Sequence, residues 1–274
     1  MAVTIDFNGR VAVVTGAGGG IGRASAELLA AAGASVVVAE IDPERAAETE
    51  RSIVAGGGRA RAVVTDVTDA DAVERLRDTV LDEFGTVDVL VNNVGHYLTA
   101  TPFRFADAAH WRALHDINLG HVFLVTQAFL PTMIAQERGS IVNVSSVEGL
   151  RGYPPDPVYG AYKAALCHFT RCLALEVAGK GVRVNAIAPD VTQSLQVDYD
   201  AIVPPEQVDR WSSWVPVGRR GEATDQAEVV LFLASDLAAF VTGHVVPTDG
   251  GTLAAGGWFK VAGTSRWTNR PAAP

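Results

Sequence analysis

The chain has 274 residues, 48% of them apolar, a net charge of −9 and two cysteines. That length suits one large α/β domain with a substantial core. The acidic balance argues against binding nucleic acid or an anionic membrane surface, both of which need basic patches.

The first ten residues carry Asp6 and Arg10 and lack a signal-peptide pattern. The apolar run at 11–14 predicts a buried parallel strand at 11–15. Glycines follow at once, among them Gly16, Gly18, Gly20 and Gly22, and residues 23–30 have helix-forming composition. A helix is therefore expected at 21–32, stopped by Gly33. Strand, glycine turn and helix N-terminus together make an anion site, because free backbone N–H groups and the helix dipole face the bound group. The spacing departs from the common GxGxxG fingerprint, and the lysine of a triphosphate-binding loop is missing, which argues against nucleotide hydrolysis.

A second strand, 35–40, ends on Glu40. A carboxylate there accepts hydrogen bonds from an adenosine ribose and repels a 2′-phosphate. Positions 19 and 41 hold Gly and Ile, so no cation awaits such a phosphate. The expectation is NAD rather than NADP; the bland alternative for Glu40 is a solvated charge at a strand end. Further helices are expected at 43–55, 69–84, 107–138, 159–178 and 222–235, and strands at 60–66, 87–92, 140–145, 182–188 and 245–249. Pro43 and Asp69 suit helix starts and Gly85 a helix stop. This alternation predicts a parallel sheet with helices on both faces. The uncharged stretch 119–136 is interrupted by His121, Gln127, Pro131 and Thr132 and reads as a half-buried helix rather than a membrane span.

In the helix expected at 159–178, Tyr159 and Lys163 are four apart and share a face. An ammonium beside a phenol stabilises the phenolate, which makes a proton donor and acceptor usable near neutral pH. The chain has only three lysines, which weakens a chance pairing. Cys167 and Cys172 lie on the same helix without metal-ligand spacing, and are expected as buried free thiols in a reducing cytosol; no metal site is expected. Residues 190–221 lack a clear period, carry Trp211 and Trp214, and read as a partly helical loop over the site. The tail, 252–274, holds Trp258, Phe259 and Trp267 and reads as packing on its own domain or a neighbouring subunit.

Taken in order, these segments resemble the classical branch of the short-chain dehydrogenase/reductase family from about Gly9 to Gly251. Thr15-Gly16-Ala17-Gly18-Gly19-Gly20-Ile21-Gly22 looks like the family's cofactor loop, and Asp66-Val67 like the pair that meets adenine. Asn92-Asn93-Val94-Gly95 is similar to the family's NNAG, with Val for Ala. Asn118 matches the catalytic asparagine. Ile141-Val142-Asn143-Val144-Ser145-Ser146 matches the strand with the catalytic serine, and the spacing to Tyr159 selects Ser146 over Ser145. Asn185 to Pro189 and Asp249-Gly250-Gly251 fit later signatures. One departure stands out: Asp190 replaces the glycine that usually follows Pro189, with Thr192 on the usual Ile/Val position and Ser194 on the usual threonine.

The resemblance implies an α/β fold: a single Rossmann-type, doubly wound, parallel seven-stranded sheet with helices on both faces. It places the domain at 1–251, including a substrate loop at 190–221, with 252–274 as a C-terminal tail. It implies NAD held by Gly16, Gly18, Gly20, Ile21, Gly22, Glu40, Asp66, Val67, Asn93, Gly95, Tyr159, Lys163, Pro189, Thr192 and Ser194. A medium-sized secondary alcohol or ketone, cyclic or with a second polar group, would lie beside His96, Glu148 and Tyr153. Ser146 would hold the substrate oxygen, Tyr159 would exchange its proton, Lys163 would lower the Tyr159 pKa, and Asn118 would position a water. A cytoplasmic homotetramer or homodimer, paired through helices 107–138 and 159–178, is also implied. Two alternatives stay open: an NADP-dependent 3-oxoacyl reductase, which Glu40 argues against, and a dinucleotide-binding sensor without turnover, which has no need of Asn118, Ser146, Tyr159 and Lys163 together.

Overall fold

The computed structural model describes residues 4–261, 263–264 and 267–268. Seven strands, β1 (Val11–Thr15), β2 (Ser35–Glu40), β3 (Arg59–Val64), β4 (Val89–Asn92), β5 (Gly139–Val144), β6 (Val182–Pro189) and β7 (Val245–Thr248), form one sheet in the order 3-2-1-4-5-6-7. Every pair in it is parallel. The helices are α1 (Gly20–Ala31), α2 (Pro43–Ala55), α3 (Ala70–Phe84), α4 (Ala108–His115), α5 (His121–Ala135), α6 (Pro157–Val177), α7 (Tyr199–Ile202), α8 (Trp211–Trp214), α9 (Ala223–Ala234) and α10 (Thr252–Ala255). The expected sheet with helices on both faces is therefore present. The strand order reverses between β1 and β4, and that switch point opens a crevice at the carboxyl ends of the strands.

Both faces of the sheet are buried, which is why the strands read as unbroken apolar runs. On β1, Ala12 and Val14 join Leu29, Val36 and Leu233 on one face. Val11 and Val13 join Leu76, Leu90, Phe129 and Ile141 on the other. A polar thread crosses this core. The Asn92 amide donates to Asn143 Oδ1 at 2.9 Å and to Thr126 Oγ1 at 3.1 Å, and the Asn143 amide donates to Thr170 Oγ1 at 3.0 Å. It pins α5 and α6 to the middle strands, and buried amides that are paired in this way fix one register.

The long helix expected at 107–138 is interrupted. Asp107 caps α4, and a single π-turn, Asp116–Gly120, separates α4 from α5. Such turns insert one extra residue and reorient a side chain, here Asn118. By length and composition, the run Ala108–Ala135 could cross a membrane. Its buried residues Val125, Phe129 and Met133 belong instead to the core on the sheet. The helix expected from 159 starts earlier, at Pro157, with Asp156 as its cap. Pro in the first turn suits a helix start because its missing N–H has no partner to lose there. Cys167 is buried as expected, but Cys172 is exposed: five residues on, it lies on the outward face of α6. In the tail, β8 (Phe259–Lys260) pairs antiparallel with β9 (Trp267–Thr268) and lies against α8, while Trp258 and Phe259 stay half exposed.

Asp156 ties three segments together and was not foreseen. Its fully buried carboxylate accepts from Val158 N and Tyr159 N of α6, each at 3.1 Å. It also accepts from Thr101 N at 3.2 Å and meets His110 Nε2 at 2.9 Å. Replacing Asp156 by Ala is expected to cost about 3 kcal/mol, a lost cap plus buried donors left unpaired. Urea unfolding of the variant beside the parent checks this, and equal midpoints would contradict it.

Candidate functional site

A cleft of about 680 Å³ lies over the carboxyl ends of β1, β2, β4, β5 and β6. At one end is the glycine turn between β1 and α1. A Cβ on Gly22 would stand 2.2 Å from the Gly16 carbonyl, so the turn closes only without a side chain there. Gly19 precedes the helix with no side-chain cap, which leaves the first N–H groups of α1 open toward the cleft. The Asn93 amide donates to the carbonyls of Thr15 (3.0 Å) and Gly16 (3.2 Å), so it braces the turn from the end of β4. Across the cleft Leu195 sits on Gly19.

Glu40 is buried at the end of β2. One carboxylate oxygen accepts from Gly18 N at 2.9 Å, and the other from Ile41 N and Asp42 N at 3.0 and 3.1 Å. The carboxylate is thereby fixed at the rim, where Asp66, Val67 and Arg45 also border the cleft. Arg45 was not foreseen; its Nε lies 3.0 Å from Asp42. Open donors at a helix start, a fixed carboxylate on the second strand and an apolar slot at Val67 fit an adenine dinucleotide.

The other end gathers Ser146, Tyr159 and Lys163. Ser146 follows β5 and its hydroxyl accepts from Glu148 N at 3.2 Å. Ser145 is turned away, donating to the Lys163 carbonyl at 3.0 Å. The Lys163 ammonium donates to the Val144 carbonyl at 3.2 Å and stands 5.8 Å from the centre of the Tyr159 ring. Gly95 makes room for it. A Cβ on Gly95 would lie 2.7 Å from Lys163 Nζ and 3.2 Å from Asn118 Oδ1. Complete burial brings the Lys163 ammonium down to about 8.

The phenol of Tyr159 is the one point where the expected electrostatics reverse. Burial pushes its pKa up; the hydrogen bond with Ser146 opposes this, while Tyr153, Glu148 and Tyr97 add to it. Burial is the largest influence on the phenol, and the Lys163 ammonium, 5.8 Å from the ring centre, does not offset it. Tyr153 and Tyr97 pack edge-on to Tyr159 at 5.8 and 6.5 Å. Tyr97 and Tyr199 were not foreseen as cleft residues. Neither lies in a recognisable motif, and only the fold brings them there.

Among the expected residues, Gly16, Gly20, Ile21, Glu40, Asp66, Val67, Asn93, Gly95, His96, Ser146, Glu148, Tyr153, Tyr159, Lys163, Pro189, Thr192 and Ser194 border the cleft. Gly18 and Gly22 instead shape the turn. Asn118 does not border it either. Fully buried in the π-turn, it donates to the carbonyls of His96 (2.8 Å) and Leu114 (3.0 Å) and accepts from His96 N (3.1 Å). It thus holds the loop that carries Gly95 and His96. Thr192 Oγ1 donates to the Asp190 carbonyl at 2.8 Å and accepts from Gln226 at 2.9 Å, while Ser194 Oγ accepts from Val197 N at 3.1 Å. Burial lowers the His96 pKa, which favours the neutral imidazole.

A family model described as enoyl-(acyl carrier protein) reductase matches residues 16–252. The 3-oxoacyl-[acyl-carrier-protein] reductase FabG of Thermotoga maritima is 39% identical over 90% of this chain and 99% of its own. The chain belongs to the short-chain dehydrogenase/reductase family. It is an oxidoreductase of that type and uses a nicotinamide dinucleotide. Cis-4-hydroxycyclohexanecarboxylate dehydrogenase of Sinomonas cyclohexanicum is 42% identical over 90% of this chain and 98% of its own. Among solved structures, a 7α-hydroxysteroid dehydrogenase complexed with NADH and 7-oxo glycochenodeoxycholic acid superposes with a TM-score of 0.84. It shares 32% identity over 90% of this chain and 95% of that one.

Behind the site, His121 follows the π-turn with no exposed surface and no well-formed hydrogen bond at either ring nitrogen. Burial, and then the Lys163 ammonium, bring its pKa from 6.5 to about 3. The folded chain therefore refuses a proton that the unfolded chain accepts below pH 6.5. Stability is fully present above 6.5 and is lost as pH falls toward 3. Between pH 7 and pH 5 the parent is expected to lose about 2 kcal/mol more than His121→Leu. Denaturant unfolding at the two pH values measures the difference, and identical pH dependence would show that His121 is not held neutral.

Proposed function

We propose that the protein is an NAD-dependent dehydrogenase that interconverts a secondary alcohol and a ketone. The observation that carries this reading is the meeting of Ser146, Tyr159 and Lys163 at the end of a cleft whose other end holds a glycine turn and the fixed carboxylate of Glu40. Ser146 holds the substrate oxygen by a hydrogen bond. Tyr159 takes the hydroxyl proton during oxidation and returns it during reduction. The raised phenol is in its protonated form at neutral pH, ready to donate to a ketone oxygen. Bound NAD supplies the hydride acceptor and, when oxidised, a positive ring that joins Lys163 in favouring the phenolate. Oxidation is then expected to accelerate with rising pH. Asn118 acts from behind, through the His96 backbone. Residues 1–251 act as one unit, with loop 190–221 over the substrate.

Glu40 supports NAD over NADP because its carboxylate repels a 2′-phosphate. Arg45 at the same rim, and the likeness to a 3-oxoacyl carrier-protein reductase, favour a second reading: an NADP-dependent reductase of 3-oxoacyl substrates.

Initial rates of NADH formation across aliphatic, cyclic, aromatic and steroidal secondary alcohols, with NADP in parallel, test both. The expected outcome is turnover with NAD at least about tenfold more efficient than with NADP, ~1.4 kcal/mol of discrimination. Turnover with NADP alone would overturn the reading of Glu40. Tyr159→Phe is expected to bind NAD with nearly unchanged affinity while turnover falls by ~10²–10⁴. Undiminished turnover in that variant would remove Tyr159 from its role.

A further inference from the structure

The half of the cleft beyond the reacting end is built unlike a general alcohol pocket, and on the dehydrogenase reading its lining narrows the substrate class. Four of the chain's five tyrosines, Tyr97, Tyr153, Tyr159 and Tyr199, border the cleft. Tyr199 is backed edge-on by Trp211 at 5.3 Å. Aromatic faces carry partial negative charge and attract cations.

Glu148 and Asp190 border the same space. Between them stands one guanidinium. Arg151 reaches both through one terminal nitrogen, Nη2, 2.8 Å from Glu148 and 3.0 Å from Asp190. One positive charge against two negative ones leaves this half with an excess negative charge. The field is felt by the rings: Tyr199 stands at about 12, raised first by burial and then by Asp190, with Glu148 adding. His96 contributes no opposing charge, since burial favours its neutral form. Arg45 stands at the Glu40 rim, and Lys163 at the reacting end, where every substrate meets it alike.

Asp190 is firmly held in place. Its carboxylate accepts from Val191 N at 2.9 Å and from the Thr252 hydroxyl at 2.5 Å. The next residue, Val191, has φ 39°, a left-handed conformation that a β-branched residue rarely takes. Strain of this kind persists where the surroundings over-determine it, and it gathers at binding sites.

We propose that Glu148, Arg151 and Asp190 form a charge filter. The filter admits secondary alcohols whose far end is cationic, accepts uncharged ones less well, and refuses those that carry a carboxylate. A purely mechanical alternative is that the trio only staples the turns at 150 and 190 to α10. The two differ in sign: removing a carboxylate weakens the filter and removing the guanidinium strengthens it, whereas loosening a staple moves every substrate alike.

The test compares three ring alcohols that share a 4-hydroxycyclohexyl core: 4-(aminomethyl)cyclohexanol, 4-hydroxycyclohexanecarboxamide and 4-hydroxycyclohexanecarboxylate. Each is assayed for kcat/KM with NAD at pH 8 and low salt. The parent is expected to prefer the amine over the carboxylate by at least about tenfold, the size of a single excess charge a few ångströms away in a half-solvated cleft. Glu148→Gln should bring that ratio toward one, Arg151→Gln should widen it several-fold, and added salt should shrink it in the parent. A ratio near one, a preference for the carboxylate, or both variants shifting the ratio in the same direction would overturn the filter and leave the dehydrogenase reading intact. NADH formation from none of the three would count against both.

Discussion

Lys163 is a completely buried ammonium, and the reacting end of the cleft is arranged around the cost of burying it. An isolated charge in a protein interior is strongly disfavoured unless polar groups replace its water. Here the Val144 carbonyl accepts a hydrogen bond from it, and the absence of a side chain on Gly95 leaves the space it occupies. The remaining penalty appears as a pKa lowered to about 8, so this ammonium gives up its proton more readily than a solvated lysine does. The neighbouring elements are arranged to match that placement. The π-turn aims Asn118 at the backbone beside Gly95, and Asp156 fixes the start of the helix from which Tyr159 and Lys163 project.

The cleft thus has two ends with opposite electrostatic characters. At the glycine turn, open N–H groups and a helix start favour a negative group, while Glu40 is locked at the rim by three backbone donors. At the far end, tyrosine rings and carboxylates make a negative lining. The loop after β6 joins the two. Leu195 packs on Gly19, Asp190 reaches Arg151 and Thr252, and Thr192 is held by Gln226 of α9. A single segment therefore contributes to both ends of the cleft.

Much of this was legible in the order of residues. Buried parallel strands leave continuous apolar runs, and glycine turns, helix caps and an i,i+4 pair leave fixed spacings, so the sheet, the glycine turn and the pairing of Tyr159 with Lys163 could all be read in advance. What escaped reading has no local signature. The π-turn at Asn118 looks like ordinary helix in sequence, because the contacts it makes, with α6 and with the His96 backbone, come from outside the segment. Asp156 was invisible as a tie because two of its partners, Thr101 and His110, reach it only in three dimensions. Tyr97 and Tyr199, a hundred residues apart, are cleft neighbours for the same reason.

The sequence by itself determined the strand and helix succession and the family resemblance, because these rest on periodicity and on spacing along the chain. The tertiary structure decided the states of the side chains. It buried the Tyr159 phenol, and desolvation then raised the pKa that proximity to Lys163 in sequence had suggested would be lowered. It turned Asn118 inward and brought Glu148, Arg151 and Asp190 together. Burial and distance, which set the strength of every charge, are properties of the folded arrangement and not of the order of residues.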